Sequence, residues 1–236
     1  MRKCSFCGAE INDIKHKKYK DICIDKCSKN NLFEHLDDSL EICPSCKVVS
    51  NDLSKYSNIP ELGKIQKEKL DGNTDYQNVV NDNNLDKLEQ KLILSKIEQE
   101  NYIDTGYPVW NLYVALFLYY HTKGMDEKAL VYANKQKEIL DNYLKSQLEY
   151  YNTKEYTHKI IIGCIDIVIY VIDAFRQLGN FDIANEYANI LKTFKFSKYC
   201  RYEKSCLKLE CKYLKRKSTD RIIRPRIKNS TSGVIL

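Results

Sequence analysis

The chain has 236 residues, of which 43% are hydrophobic and 30% are charged, and its formal net charge is +6 at pH 7. A chain of this length and composition can bury a hydrophobic core, which excludes an intrinsically disordered protein and allows one domain or a small domain followed by a larger one. The first residues, MRKCSFCGAE, lack an apolar segment after the basic pair. We therefore predict no signal peptide and a cytoplasmic location.

The cysteines form two populations along the chain. Six of the ten lie within the first 46 residues as three pairs, namely Cys4 and Cys7, Cys23 and Cys27, and Cys43 and Cys46. Because a reducing compartment disfavours disulfides, such clustering indicates a metal site. The remaining four lack a two-residue spacing and fall among apolar positions, so we predict that they are small buried side chains: Cys164, Cys200, Cys206 and Cys211.

Two of the three pairs have the Cys-x-x-Cys spacing of a zinc knuckle. This turn places two thiolates on one side of a tight backbone loop, and two such turns complete a tetrahedral zinc site. Gly8 follows the first turn and Pro44 lies inside the second. We predict one structural Zn²⁺ held by Cys4, Cys7, Cys43 and Cys46. Four protein thiolates leave no open position for a water molecule, so this site predicts no catalytic metal.

Two alternative ligand sets remain open from the sequence. Cys23 and Cys27, separated by three residues, could replace Cys43 and Cys46 as the second pair, which would leave the latter two with only His16 or His35 as further ligands. Six thiolates could also hold metal at two sites with the help of histidine.

Residue patterns divide the chain into four segments. We predict a zinc-ribbon-like domain at 1–50, a connecting segment and linker at 51–84, a helical domain at 85–217 and a basic tail at 218–236. The polar stretch DGNTDYQNVVNDNN, residues 71–84, predicts the linker itself. Apolar residues at helical spacing predict helices near 85–100, 108–122, 126–150, 155–178, 181–194 and 198–217. The apolar run at 160–172 is thirteen residues long and contains Asp166, which indicates a buried helix and excludes a membrane span.

An internal repeat strengthens the helical prediction. A shift of 55 residues aligns KGMDEKALVYAN with LGNFDIANEYAN and superimposes these pairs: Tyr120 and Phe175, Gly124 and Gly179, Ala129 and Ala184, Tyr132 and Tyr187, Ala133 and Ala188, and Asn134 and Asn189. A glycine that ends one helix and an alanine that lets the next helix pack closely predict a repeated helical hairpin. The pattern resembles a lengthened tetratricopeptide repeat, and two antiparallel hairpins in a bundle are the alternative. The predicted fold class is therefore mainly α.

The order of these parts resembles a family of bacterial proteins known as the domain of unknown function 2225. The likeness rests on the CSFCG knuckle, the segment LEICPSCKVVSNDLSKY and the tetratricopeptide-like helices, and it implies a zinc ribbon joined to a helical repeat. The family favours glycine and an aromatic residue after the second knuckle, where this chain has Lys47 and Val48. The stretches CSFCG and ICIDKC also resemble the small zinc domain of the Clp protease's unfoldase, which would imply Cys23 and Cys27 as ligands.

Candidate catalytic residues are few. The four histidines form no metalloprotease or nuclease motif, and Asp166 and Asp173, which share a helix face, more commonly mark a solvent-facing or ion-paired position than a catalytic pair. We therefore expect a non-enzymatic adaptor that binds a protein or peptide through its helical body. The alternative is a nucleic-acid-binding or regulatory protein that uses the zinc segment and the basic tail, since residues 212–228 contain eight basic residues and one acidic residue.

Overall fold

The computed structural model describes residues 2–11, 39–151, 158–192 and 201–220. Within these ranges there are four two-residue strands: β1 (Arg2–Lys3), β2 (Glu10–Ile11), β3 (Glu41–Ile42) and β4 (Val49–Ser50). The same ranges contain eight helices: α1 (Pro60–Asp71), α2 (Thr74–Asn81), α3 (Lys87–Glu100), α4 (Val109–Thr122), α5 (Asp126–Tyr151), α6 (His158–Gln177), α7 (Phe181–Lys192) and α8 (Arg201–Lys215). The prediction of a mainly α protein with a small N-terminal segment is confirmed.

The chain forms two compact units, whose boundary falls within α5. The first unit contains most of the chain up to Tyr132, and the second contains the chain from Ala133 onwards. The four domains expected from the sequence remain predictions, because a division by spatial contacts need not coincide with folding or functional domains. The helix positions agree closely with those predicted from residue 85 onwards.

The segment predicted as a linker contains a helix, so that prediction is wrong. Helix α2 begins after Asn73, whose side chain accepts a hydrogen bond from the backbone N–H of Tyr76. The Tyr76 side chain is fully buried, and α2 packs against both α1 and α3. A good N-cap and a single large buried residue thus hold a short helix whose remaining residues are mostly polar.

Helix α3 lies at the centre of the first unit. It contacts α2, α4 and β4, and it begins at Asp86, whose carboxylate caps the Glu89 N–H. The sequence favoured Asn84 as the cap, two residues earlier. Because three elements surround α3, its buried residues include polar side chains as well as leucines: Glu89, Lys91, Leu92, Leu94, Ser95, Ile97 and Glu98.

The 55-residue repeat is visible in the backbone. Gly124 ends α4 with φ +71°, and Gly179 follows α6 with φ +75°, a region that favours glycine. The closing hydrogen bonds also match: Met125 N–H donates to the Tyr120 carbonyl at 2.9 Å, and Asn180 N–H donates to the Phe175 carbonyl at 2.8 Å. Both alanines that follow the glycines, at positions 129 and 184, are fully buried. The repeat therefore describes two helical hairpins, α4–α5 and α6–α7.

Helix α6 contains the apolar run and is the buried helix that its composition predicts. It packs against α7 and α8, and its described side chains from Ile165 to Phe175 are mostly buried. Among the described residues, no helix combines the length and the hydropathy needed to cross a membrane.

The start of the predicted tail belongs to the folded second unit. Arg176 on α6 is fully buried, and its Nη1 donates to the backbone carbonyls of Ser218 and Asp220 at 2.9 and 2.7 Å. The same guanidinium pairs with Glu210 at 2.8 Å and with Asp173 at 2.5 Å. Residues 218–220 are therefore bound by a buried cation, and Asp173 has a structural partner.

Candidate metal centre

Four cysteine sulfurs from two distant parts of the chain lie together in the first unit. The thiols of Cys4, Cys7, Cys43 and Cys46 are all within 4.8 Å of one another. The Cys4 and Cys46 sulfurs are 3.8 Å apart, as are those of Cys7 and Cys43. Cys4 and Cys43 are buried, Cys46 is half-buried and Cys7 is exposed. The cluster is therefore anchored in the protein and reaches the surface at one corner.

Two β-hairpins with the same geometry supply the sulfurs. In the first, β1 pairs with β2 and aligns Arg2 with Ile11, and in the second, β3 pairs with β4 and aligns Glu41 with Ser50. The turns close in the same way, because Gly8 N–H donates to the Cys4 carbonyl and Lys47 N–H donates to the Cys43 carbonyl. The two hairpins are thus equivalent under a shift of 39 residues.

Backbone amides in both turns point at the sulfurs. The N–H groups of Phe6 and Cys7 donate to the sulfur of Cys4, and those of Ser45 and Cys46 donate to the sulfur of Cys43. Such amides stabilise a thiolate and orient it toward a bound cation. The turns therefore favour the ionised ligand that a metal needs.

The sulfur separations fit a tetrahedral metal site. A metal–sulfur bond of about 2.3 Å places the sulfurs of a regular tetrahedron about 3.8 Å apart, close to the two separations of 3.8 Å described above. A disulfide would require a separation of about 2.05 Å. The four cysteines can therefore hold one metal ion, and tetrahedral thiolate coordination suits Zn²⁺ or iron.

Hydrogen bonds between the thiols separate their pKa values. The hydrogen bond with Cys43 raises the pKa of the Cys4 thiol to about 12. Hydrogen bonds with Cys4 and then with Cys46 lower the pKa of the Cys43 thiol far below its usual value. Four thiolates this close repel one another unless a cation lies between them, so metal binding releases protons and its affinity rises with pH.

The first hairpin is held against residues 53–63. The Ser5 N–H and hydroxyl both donate to the Leu53 carbonyl, at 2.8 and 2.9 Å. The Phe6 ring meets Tyr56 edge to face, with the ring centroids 5.5 Å apart. Helix α1 approaches closely at Gly63, where an added Cβ would lie 2.0 Å from the Ser5 carbonyl oxygen. Glycine at 63 is therefore required for this contact.

Glu98 connects the second hairpin to the helices. Its Oε1 accepts hydrogen bonds from the Val49 N–H at 2.8 Å and from the Tyr76 hydroxyl at 3.2 Å. Complete burial raises the pKa of Glu98 well above its usual value, although these hydrogen bonds and the charge of Lys55 act in the opposite direction. One carboxyl group thus joins β4, α2 and α3 behind the cysteine cluster.

The structure brings together all four of the cysteines that the knuckle spacing favoured. The alternative pair, Cys23 and Cys27, and the two histidines near it in sequence, His16 and His35, lie outside the described residues. Sequence analysis missed Glu98 and Tyr76. A signal for Glu98 was its position four residues after Leu94, on an otherwise apolar side of the helix, but this position is also compatible with an exposed acid.

Known proteins provide no relative for this site. No protein-family description, curated protein or solved structure matches the chain.

The equivalence of the hairpins predicts opposite effects of two substitutions. Lys47 has φ +63° at the position where the first hairpin has Gly8 at φ +77°. Relief of this strain should make Lys47→Gly more stable by about 0.5–1 kcal/mol, whereas Gly8→Ala should lower stability by about 1 kcal/mol. Urea unfolding of the metal-loaded protein measures both changes. Equal effects of the same sign would contradict the equivalence.

The burial of Glu98 predicts a pH dependence. Because its pKa is raised in the folded state, Glu98 contributes stability below its ordinary pKa, and that contribution is lost as the pH rises toward the folded pKa. Glu98→Gln keeps an acceptor oxygen without this charge. Its stability relative to the unchanged protein should increase by up to about 1.4 kcal/mol for each pH unit in this window.

Urea unfolding of both proteins between about pH 6 and pH 8 measures this difference. Glu98→Leu is the control, because it leaves the Val49 N–H and the Tyr76 hydroxyl without an acceptor and should be destabilising at every pH. A difference between the Gln variant and the unchanged protein that stays constant with pH would show that Glu98 is ionised in the folded state.

Proposed function

We propose that this chain is a non-catalytic, zinc-stabilised adaptor that binds a protein or peptide partner through its helical body. The observation that carries the proposal is the cluster of Cys4, Cys7, Cys43 and Cys46, which offers four sulfurs to one ion. A metal with four protein ligands has no position for substrate or water, so it stabilises structure without supplying a reaction.

The surroundings of the cluster support a structural role for the ion. The strands that carry the cysteines are only two residues long, and two-stranded hairpins of this size are marginal in water. The ion would crosslink Cys4 and Cys7 to the second hairpin and so hold both against the helices. Zinc is favoured over iron because it binds thiolates without redox chemistry.

The helical part supports a binding role. Paired helical hairpins are a common scaffold for peptide and protein binding, because the side chains on their outer face are not needed for the core. On the α4–α5 hairpin two apolar side chains face solvent: Met125 is 44% exposed and Val131 is 55% exposed. Exposed apolar side chains of this kind are typical of contact residues in interfaces.

Metal analysis tests the structural part of the proposal. The purified protein should contain one zinc ion per chain and lack the visible absorption of an iron–thiolate site. Cys43→Ser should release the ion and unfold the N-terminal hairpins. Cys211→Ser is the matched control, since Cys211 is a half-buried cysteine of α8 that belongs to no cluster in the described part of the chain.

The same measurement separates the alternative ligand sets. Cys23→Ser should retain the ion or weaken its binding less than Cys43→Ser does. Full metal content in Cys43→Ser together with its loss in Cys23→Ser would overturn the assignment of the ligands.

Site-specific photocrosslinking in cells tests the binding part. A photoreactive residue in place of Val131 should give a discrete heavier adduct, whose partner is identified by mass spectrometry. The control is Lys145, which is also exposed on α5 and lies about 21 Å further along the helix. Adducts of equal yield from both positions, or none from Val131, would contradict a specific partner on this hairpin.

A further inference from the structure

Helix α8 presents a continuous basic surface to solvent. Five exposed basic residues lie along it, at Arg201, Lys204, Lys208, Lys212 and Lys215. At 100° per residue these five positions fall within a sector of about 80°, and they extend over about 21 Å of helix. We call this surface the α8 basic face. The helix also contains two acids, Glu203 and Glu210, which lie toward its opposite side.

The α8 basic face differs from the other charged helix surfaces of this protein. On α1, α3 and α5, lysines pair with acids three or four residues away: Lys64 with Glu61, Lys67 with Asp71, Lys96 with Glu100, Lys135 with Glu138 and Lys137 with Asp141. Within the described ranges, no carboxylate pairs with the five cations of α8. Like charges three and four residues apart repel one another, so this surface lowers the stability of its own helix.

The helix dipole does not account for the pattern. Cations near the C-terminus of a helix are favourable, which could explain Lys212 and Lys215. Arg201 and Lys204 lie in the first turn, where the same dipole disfavours positive charge. The line of charge therefore continues where folding alone opposes it, which indicates a role in binding an anion.

A groove runs beside the basic face within the second unit. It has a volume of about 450 Å³, and its lining joins the end of α7 to α8: Lys192, Leu207, Lys208, Cys211, Lys212, Lys215 and Arg216. Five of these seven residues are cations and none is an acid. A concave surface with charge of one sign concentrates an anionic ligand more strongly than a flat one does.

The geometry points to this groove and the α8 basic face as a binding site for the phosphodiester backbone of a nucleic acid. A linear array of cations about 21 Å long matches a ligand with regularly repeated negative charge. The apolar residues of α8, Cys206, Leu207 and Leu214, are already buried, so the helix has no apolar face to insert into a membrane. Lysine contacts to phosphate carry no sequence information, so the binding is independent of sequence.

This site is distinct from the proposed partner surface on the α4–α5 hairpin, and it is also distinct from the basic tail. The residues that carry it belong to a helix and end at Arg216, before the tail. The tail adds four further basic residues, Arg221, Arg224, Arg226 and Lys228. An experiment must therefore separate the helix from the tail.

Binding of the full chain to a fluorescent 20-nucleotide DNA strand, followed by anisotropy at several salt concentrations, tests the proposal. Replacing Lys208, Lys212 and Lys215 by Gln should weaken binding by about 10- to 100-fold at 100 mM salt and should reduce the slope of log K against log salt by about 2. The matched control replaces Lys69, Lys87 and Lys145 by Gln, which removes the same charge from exposed positions elsewhere. It should change binding by less than about threefold.

Three further outcomes decide the question. A variant with Gln at the four basic tail positions should retain binding that the α8 triple variant loses. Loss of binding in the tail variant, with none in the α8 variant, would overturn the site. So would equally tight binding to vesicles of anionic lipid or to polyglutamate, or no binding of the unchanged chain to the DNA strand at 50 mM salt.

Discussion

Cys4, Cys7, Cys43 and Cys46 join two β-hairpins whose strands are each two residues long, and the rest of the N-terminal architecture depends on this junction. Hairpins of this size lack enough strand pairing and apolar area to persist separately. The sulfurs meet at separations suited to one tetrahedral ion, and the surrounding amides already favour thiolates. A single bound ion would therefore replace the hydrophobic core that so small a segment cannot build.

The junction is coupled to the helices by a few specific contacts. Ser5 holds the first hairpin to the Leu53 carbonyl, and Glu98 holds the second hairpin to α2 and α3. Burying a carboxyl group is costly unless it is hydrogen-bonded or protonated, and the raised pKa of Glu98 indicates that protonation is part of the arrangement. The cysteine cluster and the first helices therefore form one cooperative structure, in which loss of metal would be felt as far as α3.

Buried charge has a different use in the second unit. Arg176 is fully buried and is neutralised by Glu210 and Asp173, and it binds the backbone carbonyls of residues 218–220. This network fixes the end of α8 and takes Glu210 out of solvent, which leaves the exposed side of the helix to its cations. The internal ion pairs and the external basic face are thus two consequences of the same orientation of α8.

Local patterns in the sequence determined the helices from residue 85 onwards, the two knuckles and the 55-residue repeat, because each depends on spacings within one turn or one hairpin. The same patterns failed at α2, whose polar sequence is helical only because Tyr76 is buried against α3. They also could not assign Glu98, since an acid on a helix is compatible with either surface or core. Only the tertiary structure decided that Glu98 faces Val49, because their contact joins residues 49 apart in sequence, and chain-local spacing carries no information at that distance.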